Sequence, residues 1–204
     1  MACSASIKRH EVRYDDVCQG KSVCTVDFTL SDDIVDGVLM YRLDNFYANH
    51  KNFVKSRSFS QLRGGSPASL SDCDPVEHNR DVGSPTSVTT GAALKPSAVA
   101  YPCGLVAKFR FTDSFVLADA SGASVTLAEA SIALAIDRRS RFGNTADKSQ
   151  QWLDFEDEHF MVWMRPETFP WFDKLYAHVP STLKAGQKYT LTISNAYDRS
   201  GVQK

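Results

Sequence analysis

Alternation of apolar and polar residues predicts several β-strands along the chain. It is clearest at residues 25–30, where every second residue is apolar, and it recurs at 38–43, 105–112 and 189–193. A period of two is typical of a strand with one buried face. Shorter strands are predicted at 124–127 and 132–136, and the nearly all-apolar run 160–164 predicts a strand buried on both faces.

Two segments follow the period of a helix instead. The first begins after Asp44, a residue type that can cap a helix. Its apolar positions are Phe46, Tyr47, Phe53 and Val54. The second begins at Pro170, a residue favoured in a first helical turn. Its apolar positions, at i, i+3, i+4 and i+7, are Phe172, Leu175, Tyr176 and Val179.

Residues 66–100 show neither period and are rich in small and turn-forming residues, which predicts an extended loop excursion. The remaining elements add up to a mainly β fold. We expect an antiparallel two-sheet sandwich with two short helices, formed by residues 1–204 as a single domain.

Composition narrows the function classes. The 204 residues carry a formal net charge of −1, without the clustered basic excess that a nucleic-acid-binding surface needs. No window approaches the 18 or so consecutive apolar residues of a membrane span, and the N-terminus lacks the apolar core of a signal peptide. We therefore expect a soluble chain that binds no nucleic acid.

Five cysteines occur without a C-x-x-C motif, which argues against a zinc or redox site. Cys18 and Cys24 are close enough in sequence to close a small loop, and Cys73 and Cys103 bracket the loop excursion. Spacing alone leaves both disulfides and free thiols open.

No constellation predicts catalysis, a metal or a cofactor. The carboxylates Asp154, Glu156, Glu158 and Glu129 could supply a pair for glycoside hydrolysis, but no spacing singles out a pair. Asp157, Glu158 and His159 lack the further histidine or cysteine that a metal site needs. A nucleophile elbow, a P-loop and a G-x-G-x-x-G motif are all missing from the sequence.

Several longer motifs are more specific. NFYANHKNFVKSR begins at Asn45 and is followed by SQLRG, and a second block, HFMVWMRPETFPWFDKLY, begins at His159. CTVDFTL, YPCG and LKAGQKYTLTIS complete the set in order. Through these motifs the chain closely resembles the family named for cell-division-control protein fifty, also called the ligand-effect modulator three family, over nearly its whole length.

The resemblance implies a function. Members of that family are two-span membrane proteins whose large ectodomain lies on the lumenal or extracellular side of the endoplasmic reticulum, Golgi, endosomes or plasma membrane. They are non-catalytic subunits of class-four P-type ATPases, the phospholipid flippases, and are needed for stability, export from the endoplasmic reticulum and activity. We expect this chain to be such an ectodomain, with its membrane spans outside residues 1–204. The alternative is a secreted or cell-surface β-sandwich that binds a ligand such as a carbohydrate.

The resemblance also implies disulfides between Cys73 and Cys103 and between Cys18 and Cys24. The sequence departs from the family in three ways. Many members have four cysteines in the N-terminal region, whereas here Cys3 has no evident partner. N-x-[ST] sequons are missing, and Leu134 and Ala135 stand where the family usually has tryptophan.

Candidate partner-binding residues come from the two longest motifs. They are Asn45, Phe46, Tyr47, Asn49, His50, Lys55, Arg57, Trp163 and Arg165. The alternative is that the asparagines and His50 satisfy buried backbone groups within the domain, since rare motifs often encode internal hydrogen bonds.

Overall fold

The computed structural model describes residues 7–67 and 69–197, so Cys3 lies outside the described residues. The strands are β1 (Val23–Thr29), β2 (Gly37–Asp44), β3 (Ser114–Ala118), β4 (Ser124–Val125), β5 (Trp171–Val179) and β6 (Lys188–Ser194). The α-helices are α1 (Asp15–Cys18), α2 (Lys51–Lys55), α3 (Phe59–Leu62), α4 (Asn79–Val82), α5 (Leu105–Lys108) and α6 (Glu158–Trp163). Short 3-10 helices occur at Leu70–Cys73 and Lys148–Gln150, and a π-helix at Asp137–Arg141.

The strands form two antiparallel sheets, which confirms the predicted fold class. The larger sheet has the order β1-β6-β3-β4, and the smaller one pairs β2 with β5. In the larger sheet β6 lies between β1 and β3, so Ser194 is opposite both Val23 and Ser114.

Alternation correctly predicted β1, β2 and β6. In β6 the residues Tyr189, Leu191 and Ile193 are buried and their neighbours are not. Phe115 of β3 packs edge-on against Tyr176 of β5, with ring centroids 4.7 Å apart, so the two sheets contact each other here.

Four local predictions were wrong. Residues 105–112 contain helix α5 rather than a strand, residues 160–164 lie mostly in helix α6, and residues 132–136 are largely irregular. The segment after Pro170 is strand β5 rather than a helix. Its buried positions include Lys174 between Phe172 and Tyr176, and this polar residue hides the alternation that would otherwise predict a strand.

The described chain divides into two compact units. The first contains the residues up to Asp44, residues 112–128 and the residues from Leu175 onward. It holds the larger sheet and the Cys18–Cys24 disulfide, whose Cα atoms are 5.3 Å apart.

The second unit contains Asn45–Phe111 and Glu129–Lys174. It includes helices α2 to α6 and the Cys73–Cys103 disulfide, with Cα atoms 5.5 Å apart. The predicted loop excursion 66–100 lies here and is tied by backbone hydrogen bonds, among them Asn79 N to Ala98 O at 3.0 Å. Within the described ranges, no helix combines the length and apolar character required to cross a bilayer.

Candidate functional site

The motif that begins at Asn45 starts with a tight turn, not with the predicted helix. Asn45 has a φ of 60°, a left-handed conformation that asparagine tolerates but that cannot continue into a helix. Helix α2 begins only at Lys51, after the N-cap His50, whose Nδ1 accepts a hydrogen bond from Asn52 N at 3.3 Å. The predicted helix start at Asp44 was therefore wrong, since β2 extends through Asp44.

Two hydrogen bonds join this turn to the segment before β5. Phe46 N donates to Pro170 O at 2.9 Å, and Asn49 Nδ2 donates to Thr168 O at 2.8 Å. The two longest motifs of the sequence thus meet in space. Asn49 therefore satisfies a backbone carbonyl within the second unit. This is the kind of internal hydrogen bond that the alternative interpretation expects of the asparagines of this motif.

Phe46 and Trp163 belong to an aromatic cluster inside the second unit. The Phe46 ring contacts Phe53, Trp163 and Phe172 edge-on, with centroids 5.4–5.9 Å apart. Trp163 is buried, and its Nε1 donates to Val106 O at 2.6 Å. These rings fix the turn and the segment before β5 in place.

Other aromatic rings of the same two segments are exposed. Tyr47 is 62% exposed, Phe169 57% and Trp171 48%. The Phe169 and Trp171 rings stack with centroids 5.4 Å apart and an interplanar angle of 11°. We call these three residues the aromatic surface. Tyr47 is among the candidate residues predicted from the sequence, whereas Phe169 and Trp171 are not, although their position on either side of Pro170 is a usable signal.

A small cavity lies behind this turn, in the second unit. It encloses about 20 Å³, room for about one water molecule. Its walls include the apolar side chains Phe53, Val54, Val106 and Phe172 and the charged side chains Arg57, Arg165, Glu167 and Lys174. Lys55, at the end of α2, is exposed and does not line the cavity.

Lys174 is a buried cation that is well satisfied. Its Nζ lies 2.5 Å from Glu167 Oε1 and donates to Arg165 O at 2.7 Å and to Val162 O at 3.0 Å. Burial lowers the pKa of Lys174, and the positive charges of Arg165 and Arg57 lower it further, against the opposing effect of Glu167.

Arg57 is a buried cation that is poorly satisfied. Its Nη1 donates to Met164 O at 2.6 Å, and its guanidinium lies 5.0 Å from the centre of the Phe59 ring. The buried Nε has no hydrogen-bond partner, and no carboxylate of the described residues lies within ion-pair distance. Burial lowers the pKa of Arg57.

Two buried side chains close to Arg57 in sequence, Ser56 and Gln61, form hydrogen bonds to the backbone around the second disulfide. Ser56 Oγ donates to Cys73 O at 2.9 Å and accepts from Leu105 N at 2.8 Å. Gln61 Nε2 donates to Ala100 O, and Gln61 Oε1 accepts from Cys103 N, both at 2.9 Å. Neither Ser56 nor Gln61 is among the residues predicted from the sequence.

Glu158 and Glu129, two of the carboxylates considered for a hydrolytic or metal site, make contacts within the fold. Glu158 accepts the amide protons of Ser131 and Ala133 at 3.0 and 2.8 Å, and His159 Nε2 lies 2.9 Å from Glu129. Over residues 7–67 and 69–197, the structure contains no cluster of three or more acidic, histidine or cysteine side chains able to hold a metal ion.

Comparison with known proteins gives consistent matches. The profile of the LEM3 (ligand-effect modulator 3) family / CDC50 family matches residues 2–201. The chain is 32% identical to cell cycle control protein 50A of Bos taurus, over 86% of this chain and 55% of that protein. It is also 32% identical to ALA-interacting subunit 3 of Arabidopsis thaliana, over 88% of this chain and 51% of that protein. The chain thus spans about half the length of these relatives.

Proposed function

Because the chain belongs to the LEM3 (ligand-effect modulator 3) family / CDC50 family, we propose that it is the ectodomain of an accessory subunit of a phospholipid-flipping, class-four P-type ATPase. The subunit performs no chemistry itself. It stabilises the ATPase, supports its export from the endoplasmic reticulum and permits phospholipid translocation, with the ectodomain on the lumenal or extracellular side of the membrane.

The match across residues 2–201 carries this proposal. The name of the Arabidopsis relative, an ALA-interacting subunit, supports a role in assembly with another protein. The relatives are about twice as long as this chain, which leaves room for flanking membrane spans. These observations favour the subunit over a secreted carbohydrate-binding domain.

The aromatic surface is the contact surface that we propose for the ATPase. Exposed aromatic rings held on a rigid support are favoured at the centres of protein interfaces, because they bury a large area with little loss of side-chain freedom. Here the support is the pair of hydrogen bonds from Phe46 and Asn49 and the buried rings beneath. The exposed polar residues Asn49, His50, Lys55 and Arg165 form the rim, while Trp163 supports the surface from inside.

Co-purification tests the proposal. The full-length gene product is co-expressed with each class-four P-type ATPase of the same organism, and the pairs that co-purify are identified. We expect at least one stable pair, and no pair with any of these ATPases would contradict the proposed function.

Variants then test the contact surface. The double variant Tyr47→Ala, Phe169→Ala should co-purify poorly while keeping the thermal stability of the wild type, because both rings are exposed. Leu134→Ala is the matched control, since Leu134 is an exposed apolar residue of the same unit outside the aromatic surface. Asn49→Ala with His50→Ala tests the rim. Equal recovery of the ATPase with all variants would contradict the assignment of this surface but not the function.

A further inference from the structure

The cavity behind the turn carries more positive than negative charge. Arg57, Arg165 and Lys174 face it together with a single carboxylate, Glu167. Glu167 is committed to Lys174 by a contact of 2.5 Å, and Lys174 has two further backbone acceptors. The excess positive charge therefore belongs to the two arginines.

Arg57 has donors to spare. A guanidinium carries five N–H groups, and Arg57 donates one of them to Met164 O within the described part of the chain. Only 8% of Arg57 is exposed, so water cannot freely solvate the rest, and its Nε is both buried and without an acceptor. A buried cation without an anion is unfavourable, and an anion brought to it gains a correspondingly strong charge-assisted hydrogen bond.

Arg165 adds a second positive charge at the exposed side of the cavity. Its side chain makes no hydrogen bond or ion pair with the residues that the structure describes, and it is exposed to solvent. An anion that reaches Arg57 from outside would pass it.

The size and walls of the cavity limit the anion. About 20 Å³ holds the oxygen end of a carboxylate, whereas most of a lipid headgroup or a sugar would remain outside the cavity. The rings of Phe53, Trp163 and Phe172 line the same space and lower the local dielectric, which strengthens a charge pair formed there.

We propose that this cavity binds a carboxylate group presented by an aspartate or glutamate side chain on a loop of the partner ATPase. The inference rests on the proposed function, because that function supplies the partner. It is also consistent with the location of the cavity. Its wall residues Arg165 and Glu167 belong to the same segment, just before β5, that carries Phe169 of the aromatic surface.

Acetate is the probe for the cavity itself. The purified 204-residue chain is titrated with sodium acetate replacing sodium chloride at constant ionic strength, while NMR follows the Arg57 Nε–H and Trp163 Nε1–H signals. We expect saturable shifts that chloride does not produce. Shifts that do not saturate, or that chloride reproduces, would show an ordered water or an adventitious ion only and would overturn the proposal.

Charge variants locate the site. Arg57→Gln and Arg165→Gln should each weaken acetate binding by roughly tenfold, the usual effect of losing a charged hydrogen-bond donor. Glu167→Gln should tighten it, because the cavity wall then loses its one negative charge. This variant keeps the test decisive if Arg57→Gln does not fold, and unchanged affinity in both Arg165→Gln and Glu167→Gln would refute the site. Arg139→Gln, at an exposed arginine of the same unit, should bind acetate like the wild type.

The full-length protein tests the source of the carboxylate. Arg165→Gln should reduce co-purification with the ATPase that the wild type binds, and Arg139→Gln should not. If the wild type binds no ATPase, the proposed function fails whatever acetate does. If the wild type binds and Arg165→Gln binds equally well, only the carboxylate inference fails.

Discussion

Gln61, in the SQLRG motif, is hydrogen-bonded next to the second disulfide, and the structure predicts how much folding free energy its substitution costs. Its side chain is fully buried and is the hydrogen-bond partner of both Ala100 O, just before the YPCG motif, and Cys103 N, within it. In Gln61→Met, which keeps most of the side-chain volume, both backbone groups lose their partners while they remain in a buried region.

Each buried backbone group left without a partner costs about 1–3 kcal/mol. The two together predict a loss of about 2–6 kcal/mol, a large part of the 5–15 kcal/mol that is typical of a folded domain. Gln61→Ala should lose somewhat more, because it also leaves a cavity. Gln150→Ala is the control, since Gln150 is exposed and its side chain contacts Ser149 Oγ at 3.4 Å.

Urea unfolding followed by circular dichroism, without reductant, measures the free energy of unfolding. Hydrogen exchange of the amides around Cys103 reports whether the loss is local to the second unit. If Gln61→Met unfolds within about 0.5 kcal/mol of the wild type, the range of an ordinary surface substitution, the two hydrogen bonds do not stabilise the fold as described.

Two further predictions concern the second unit and its disulfide. Cys73→Ser should lower the free energy of unfolding by about 3–4 kcal/mol, because the Cys73–Cys103 bridge closes a loop with a sequence separation of 30, and residues 66–100 should be cleaved faster in limited proteolysis. Cys18→Ser, which opens a loop with a separation of only 6, should cost about 2 kcal/mol and leave that cleavage unchanged; unaltered proteolysis of Cys73→Ser would contradict the prediction. Burial favours a higher pKa for Glu158, but the amides of Ala133 and Ser131 and the charge of Arg138 outweigh it and lower the pKa below 4.5. The stability that ionised Glu158 contributes is therefore present above pH 4.5 and is lost as the pH falls through the lowered pKa. Glu158→Gln should thus be less stable than the wild type by about 1 kcal/mol near neutral pH, and this difference should disappear in acid. A difference in stability that persists in urea titrations at acid pH would refute the prediction.

The sequence predicted the strands whose alternation is clean. β1 and β6 pair along their full length, and each has a one-residue-in-two pattern that no helix would show. The short apolar run at 160–164 lacks this information, because a buried helix and a buried strand of that length read alike. Its helix α6 is fixed from outside the run, by the N-cap Asp157, whose side chain accepts from His159 N.

The sequence motifs point to two segments but not to the roles of their residues. The rare motifs at Asn45 and His159 mark two segments that meet in space. Which residues face outward depends on tertiary packing. Phe46 and Tyr47 are neighbours in sequence, yet the first packs against Trp163 and the second is 62% exposed. The buried Nε of Arg57 likewise lacks a hydrogen-bond acceptor only because of how the folded chain packs around it, and the sequence does not reveal that packing.

The position of β6 has a consequence for biosynthesis. This strand is the last of the six that the structure describes, yet it lies between β1 and β3, and Val23 must wait for Ser194 before it is paired. While the ribosome is still making the intervening residues, β1 and β3 both present open edges, which are ready templates for aggregation and for chaperones. A nascent chain that stops short of β6 cannot close the larger sheet, so the order of the strands itself makes synthesis of β6 a condition for the native first unit.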